Sequence, residues 1–171
     1  KPVETLTGPW PCPAFIYPNF QDDGYIAVSL DPASLTFARA HLSQIGDKLL
    51  RSMVWDDIWE MVRNTELPLK DYIGVIKTNF PAEQDELLIK MIVSTISGRE
   101  NTSVLNYWPQ DERAKPERDA FVSQMENEYL RRFKAAKPGS DNQRLWFDNY
   151  VSIAATPKAL DTLAKWADAQ Q

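Results

Sequence analysis

The sequence predicts a mainly α-helical protein: antiparallel helical hairpins stacked as an irregular, HEAT-like α-solenoid, preceded by a short β-hairpin or strand pair. The hydrophobic period changes from two to about 3.6 near Asp31 and keeps that value to the C-terminus. Helix-start signals recur along the same stretch, and the apolar arcs are wide enough to need neighbours on two sides. We therefore divide the chain into residues 1–13, an extended arm or linker, residues 14–30, a strand pair, and residues 31–171, a helical domain.

The first thirty residues carry the signals of extended chain and turns. Residues 1–13 contain four prolines, which disfavour regular structure. Residues 14–17 and 25–30 are short apolar runs on either side of the turn-forming Asp22, Asp23 and Gly24, a pattern typical of a β-hairpin. Because two strands alone are marginally stable in water, we expect this pair to pack against the helices.

Helix starts are marked by capping residues and prolines. Asp31 precedes Pro32 and Thr156 precedes Pro157, so an N-cap acceptor stands before a proline at the first helical position in each case. Ser140 has capping-box spacing to a glutamine three residues later. Three further helix starts are predicted at Pro68, Pro81 and Pro116.

The clearest helix runs from residue 48 to residue 64. Its polar positions fall on one stripe: Lys48, Ser52, Asp56, Glu60 and Arg63. Its apolar positions form two rows: Leu50, Val54, Ile58 and Met61, and Trp55, Trp59 and Val62. Later helices are expected to bury Val122, Met125, Tyr129 and Phe133, then Leu145, Trp146, Val151 and Ile153 or nearby positions, then Leu160, Leu163, Ala164 and Ala167. No exact repeat is present, which argues against a regular tetratricopeptide or ankyrin array.

Composition excludes several classes of protein. A chain of 171 residues with 43% hydrophobic residues can build a core, so we expect a folded, soluble protein. It has no apolar run of about 18 residues and no signal-peptide pattern, so we expect no membrane span or membrane partner. The net charge of −5 argues against a nucleic-acid partner. The single Cys12 permits no internal disulfide, which fits a reducing compartment and favours a cytoplasmic location.

No residue of this chain is predicted to be catalytic, cofactor-binding or metal-ligating. The only histidine, His41, lies in a predicted helix with no second histidine and no cysteine nearby. No GxSxG turn and no histidine base accompany any serine or threonine, so nucleophilic catalysis is unsupported. We therefore expect no cofactor in this chain.

Three other features invite a functional interpretation. Asp56, Asp57 and Glu60 could hold a hard cation or act as paired carboxylates, but Arg63 follows on the same polar stripe and favours a solvated, charge-balanced face. Turn chemistry accounts for the short acidic stretch at residues 22–24, which lacks the remaining ligands of an EF-hand loop. The tryptophans lie at helical spacing without a basic groove, which favours core packing over nucleic-acid or sugar stacking: Trp55, Trp59, Trp108, Trp146 and Trp166.

Several stretches together resemble the M1-family zinc aminopeptidases of the aminopeptidase N type. Residues 18–31 (PNFQDDGYIAVSLD) resemble the passage where the family's small β-sandwich domain joins its C-terminal helical domain. Residues 50–67 (LRSMVWDDIWEMVRNTEL), followed by Tyr72, resemble the early helical hairpin of that domain. Residues 138–146 (PGSDNQRLW) and 155–157 (ATP), with Leu160, resemble its later helices. The resemblance implies that residues 14–30 come from the end of the β-sandwich and that residues 31–171 are a truncated helical domain.

The family's catalytic signature is not in this chain. Members carry a zinc-binding HExxH with a downstream glutamate, and a GxMEN segment that binds the free N-terminus of the substrate. One histidine cannot supply HExxH. Met125-Glu126-Asn127 spells the last three letters of GxMEN, but Ser123 and Gln124 precede it, the glycine is missing, and the segment lies on a predicted helix. The resemblance therefore implies zinc in the catalytic domain of a parent protein and none here.

Two functional hypotheses follow. The first is a helical-domain fragment that is not catalytic alone, that caps the active-site chamber of an M1 aminopeptidase, and whose partners are the upstream catalytic domain and the parent's peptide substrate. The second is a freestanding helical-repeat adaptor that binds a peptide or protein. Truncation would expose an apolar face near Leu160, Leu163 and Trp166 and the strand edges of residues 14–30, so we also expect possible self-association.

Overall fold

The computed structural model describes residues 8, 11–98 and 103–168, and this part of the chain is mainly α-helical. The described residues form eight α-helices: α1 (Pro32–His41), α2 (Lys48–Arg63), α3 (Leu69–Asn79), α4 (Glu86–Ser97), α5 (Val104–Tyr107), α6 (Lys115–Ala135), α7 (Asp141–Ile153) and α8 (Pro157–Asp168). Three short 3₁₀ turns accompany them at Phe20–Asp22, Leu42–Gln44 and Phe80–Ala82. The change to helical structure at Asp31 is confirmed, whereas most of the predicted arm at residues 1–13 lies outside the described residues.

The three capping signals are confirmed by hydrogen bonds. The Asp31 carboxylate accepts from the amides of Ala33 and Ser34 at the start of α1 (2.9 and 3.1 Å). The Ser140 hydroxyl accepts from the amide of Gln143 at the start of α7 (3.1 Å). Thr156 Oγ1 accepts from the Ala159 amide in the first turn of α8 (3.2 Å). Each side chain satisfies a helix N-terminal amide that has no partner within the helix.

The proline-based prediction holds at two positions and is wrong at the third. Pro68 directly precedes α3, and Pro116 is the second residue of α6. Pro81 lies in the 3₁₀ turn Phe80–Ala82, and α4 begins five residues later, at Glu86. Asp85 determines that start, because its carboxylate accepts from the amides of residues 87 and 88.

The predicted β-hairpin is absent, since no strand is present among the described residues. Asn19 closes the loop instead: its Nδ2 donates to the Gly24 carbonyl (3.0 Å) and its Oδ1 accepts from the Gly24 amide (3.0 Å). The first extended segment bonds to helices, through the Ile16 amide to Ser34 Oγ (2.9 Å) and the Tyr17 hydroxyl to Asp57. Its polar groups are therefore satisfied by helical side chains and not by a partner strand.

The helices enclose one hydrophobic cluster. Helix α3 packs against both α1 and α2, α4 packs against α7, and α6 and α7 form the most extensive pair. Both predicted apolar rows of α2 face this cluster, with Leu50 only partly buried. The described packing does not confirm the finer prediction of a stacked helical repeat.

The turn between α3 and α4 is held from one side by Arg51 of α2. Arg51 Nε and Nη2 donate to the two carboxylate oxygens of Glu83 (2.8 and 3.1 Å). Both side chains are almost fully buried, and Glu83 Oε1 also accepts from the amides of Gln84 and Asp85 (2.9 Å each). This bidentate pair is fully hydrogen-bonded, the condition under which a buried ion pair is tolerated.

Arg132 holds the same turn from a second helix, α6. It donates to the carbonyls of Phe80 (2.8 Å), Pro81 (3.1 Å) and Glu83 (3.1 Å). Its guanidinium carbon also lies 5.0 Å from the Phe80 ring centroid and 4.8 Å from that of Trp146. One side chain thus joins the α3–α4 turn, α6 and α7.

The predicted inner row of α8 is partly wrong. On α7, Tyr150 is buried and the adjacent Val151 is exposed, within the prediction of Val151 or a nearby position. On α8, Ala159 is buried and Leu160 is 52% exposed. The reason is Trp166, whose ring packs against those of Phe133, Phe147 and Tyr150 and sets the rotation of α8: the centroid distances are 5.1, 5.9 and 5.8 Å.

Replacing Arg132 with methionine tests the importance of the α3–α4 turn. Arg132→Met removes three bonds to backbone carbonyls and should lower the free energy of unfolding by about 3 kcal/mol in urea titrations followed by circular dichroism.

The control is Arg131→Met, because Arg131 pairs with the same Glu128 but is exposed. It should cost less than about 1 kcal/mol. Equal losses in the two variants would contradict the structural role assigned to Arg132.

Candidate functional site

The described surface contains a cleft lined by acidic side chains. It lies between residues 25–29 and the outer face of α2, with a volume of about 310 Å³. Four side-chain carboxylates line it: Asp56, Asp57, Glu60 and Glu66. The sequence singled out the first three but gave no reason to place them beside residues 25–29.

Three of the four carboxylates in the cleft each accept a hydrogen bond from another side chain. The Tyr17 hydroxyl donates to Asp57, the Ser29 hydroxyl donates to Glu66, and Arg63 donates to Glu60. The sequence-based interpretation, a charge-balanced face with Arg63, fits Glu60, to which Arg63 donates, and Asp56, whose pKa the Arg63 charge lowers. Asp57 and Glu66 instead hold residues 17 and 29 against α2.

Burial raises the pKa values of two carboxyl groups in this cleft. For Asp56, burial is the main cause, the nearby Glu60 charge adds to it, and Arg63 opposes it. For Asp57, burial again dominates, and the hydrogen bond from Tyr17 partly offsets it. Burial and the Asp57 hydrogen bond raise the pKa of the Tyr17 phenol. The cleft therefore concentrates hydrogen-bond acceptors and negative charge, which suits a cationic group.

His41 and the other candidate ligands are not brought together. His41 is exposed at the end of α1, where its Nδ1 lies 3.3 Å from Gln44 Oε1 and its ring lies against Phe37. Cys12 is also exposed. Across the described ranges, no group of three or more His, Cys, Asp or Glu side chains could hold a metal ion.

Met125-Glu126-Asn127 has a structural role in α6. Met125 is in the core, and Glu126 is buried. The Glu126 carboxylate accepts from the amides of Ala155 (2.7 Å) and Thr156 (2.9 Å) and from the Thr156 hydroxyl (2.5 Å). Glu126 thus fixes the loop between α7 and α8. Sequence reasoning did not find this contact, because nothing local links α6 to a loop 29 residues later.

The tryptophans and the acidic turn have the structural roles that the sequence predicts, core packing and a turn. Trp55, Trp59, Trp108 and Trp146 are buried in the core. Trp166 is half-buried within the aromatic group described above. The turn at residues 22–24 is closed by Asn19, which the sequence analysis did not single out. Within the ranges that the structure describes, no helix has the length and apolar character needed to cross a bilayer.

Comparison with known proteins gives two findings. The sequence model of the ERAP1-like C-terminal domain matches residues 15–171. The aminopeptidase N of Streptomyces lividans is similar to this chain, with 28% identity over 159 residues, 93% of this chain and 18% of the relative. The chain thus spans less than a fifth of that relative's length.

The raised pKa of Asp56 gives a prediction about pH. A carboxyl whose pKa is higher in the folded state destabilises that state once the pH rises through this pKa, and it has no such effect below its ordinary pKa near 4. Asp56→Asn should therefore raise the free energy of unfolding at pH 7 relative to the wild type and leave it nearly unchanged at pH 3.5. Denaturant titrations at both pH values measure the difference, and a variant that is less stable at pH 7 would contradict the assignment.

Replacing Glu126 tests the role given to the Met125-Glu126-Asn127 segment. In Glu126→Gln the Oε1 position can still accept from both backbone amides, but the side chain loses its charge and its second acceptor, the oxygen that accepts from the Thr156 hydroxyl. The free energy of unfolding should therefore fall by about 1–3 kcal/mol. Glu112→Gln is the matched control, because Glu112 is 90% exposed, and its effect should stay within about 0.5 kcal/mol. If Glu126→Gln were as mild as the control, the buried contact would not stabilise the fold.

Proposed function

We propose, since this chain belongs to the ERAP1-like C-terminal domain family, that it is part of the C-terminal helical domain of an M1 zinc aminopeptidase and is not catalytic alone. The family match over residues 15–171 is the observation that carries this proposal. A relative named aminopeptidase N, of which the chain covers 18%, supports a larger hydrolase as the parent.

In the parent, the proposed role of this domain is to cap the active-site chamber and limit which peptides enter. A cap excludes bulk water and selects substrates by access, and it needs a rigid body rather than reactive side chains. The two arginines that hold the α3–α4 turn support such rigidity. The partner in this role is the upstream catalytic domain, which we expect to remove N-terminal residues from peptides.

The residues of this chain do not fit a zinc site. Catalytic zinc takes three protein ligands, commonly histidines with a carboxylate, and leaves one position open for water. His41 is the only histidine of the sequence, and its contacts in the described part of the chain are with Gln44 and Phe37. Zinc would therefore be held by residues upstream in the parent, and no step of the reaction is assigned to this chain.

The experiment is to compare the parent enzyme with and without these residues. Rates are measured on an aminoacyl chromogenic substrate and on peptides of graded length. If the domain limits access, its removal should lower the selectivity for short over long peptides at least several-fold. An unchanged selectivity in a folded, active truncated enzyme would overturn the proposal.

A second variant covers the case in which the truncated parent does not fold. Arg132→Met in the intact parent loosens the α3–α4 turn without removing the domain, and Arg131→Met is its control. The first should shift the length preference towards longer peptides and the second should not. The same preference in both variants would also overturn the proposal.

The coding sequence upstream of residue 1 distinguishes this proposal from the alternative, a freestanding adaptor. We expect an HExxH with a downstream glutamate in the same reading frame. A promoter and start codon at that point would favour the adaptor instead. A cytoplasmic location and self-association of the isolated chain stay predictions.

A further inference from the structure

We draw no further inference here: the strongest candidate, the exposed apolar face of α8 around Leu160, carries none, because nothing in the part of the chain that the structure describes shows what covers it.

Discussion

The fold depends on the six-residue turn between α3 and α4, which two arginines from different helices hold in place. Arg51 reaches it from α2 through the Glu83 carboxylate, and Arg132 reaches it from α6 through three backbone carbonyls. A turn between helices has unpaired carbonyls and amides that are costly to bury without partners. Here Arg132 donates to the carbonyls and the Glu83 carboxylate accepts from the amides of Gln84 and Asp85, so the N-terminal and C-terminal helices can close on one core.

The packing of the C-terminal half extends from the same point. The Arg132 guanidinium lies over Trp146, and Trp146 packs against Tyr129 with ring centroids 5.7 Å apart. Farther from the turn, Glu126 fixes the loop between α7 and α8, and Trp166 sets the rotation of α8. Polar contacts thus fix the connections, and aromatic side chains fill the space between the helices.

Local signals in the sequence predicted the local features of the structure. The caps at Asp31, Ser140 and Thr156 are contacts within a few residues, and both buried rows of α2 follow the helical period of the sequence. Predictions that depended on residues distant in the sequence were wrong more often. The prediction of a hairpin was wrong because residues 16 and 17 form hydrogen bonds with α1 and α2. The predicted buried face of α8 was partly wrong because Trp166 packs against three aromatic rings from α6 and α7. The acidic cleft was not predicted, since the sequence identified Asp56, Asp57 and Glu60 but favoured a solvated face, and it could not place residues 25–29 beside them.

The central claim is that this chain provides structure, and that the chemistry belongs to another part of its parent. The most direct test of this claim measures zinc content and aminopeptidase turnover on the same purified sample of the chain, freed of contaminating peptidases. The parent enzyme is the positive control. The account predicts no stoichiometric zinc and no turnover of aminoacyl chromogenic substrates by the chain, against bound zinc and turnover in the parent. Stoichiometric zinc together with chelator-sensitive turnover in the chain alone would contradict it.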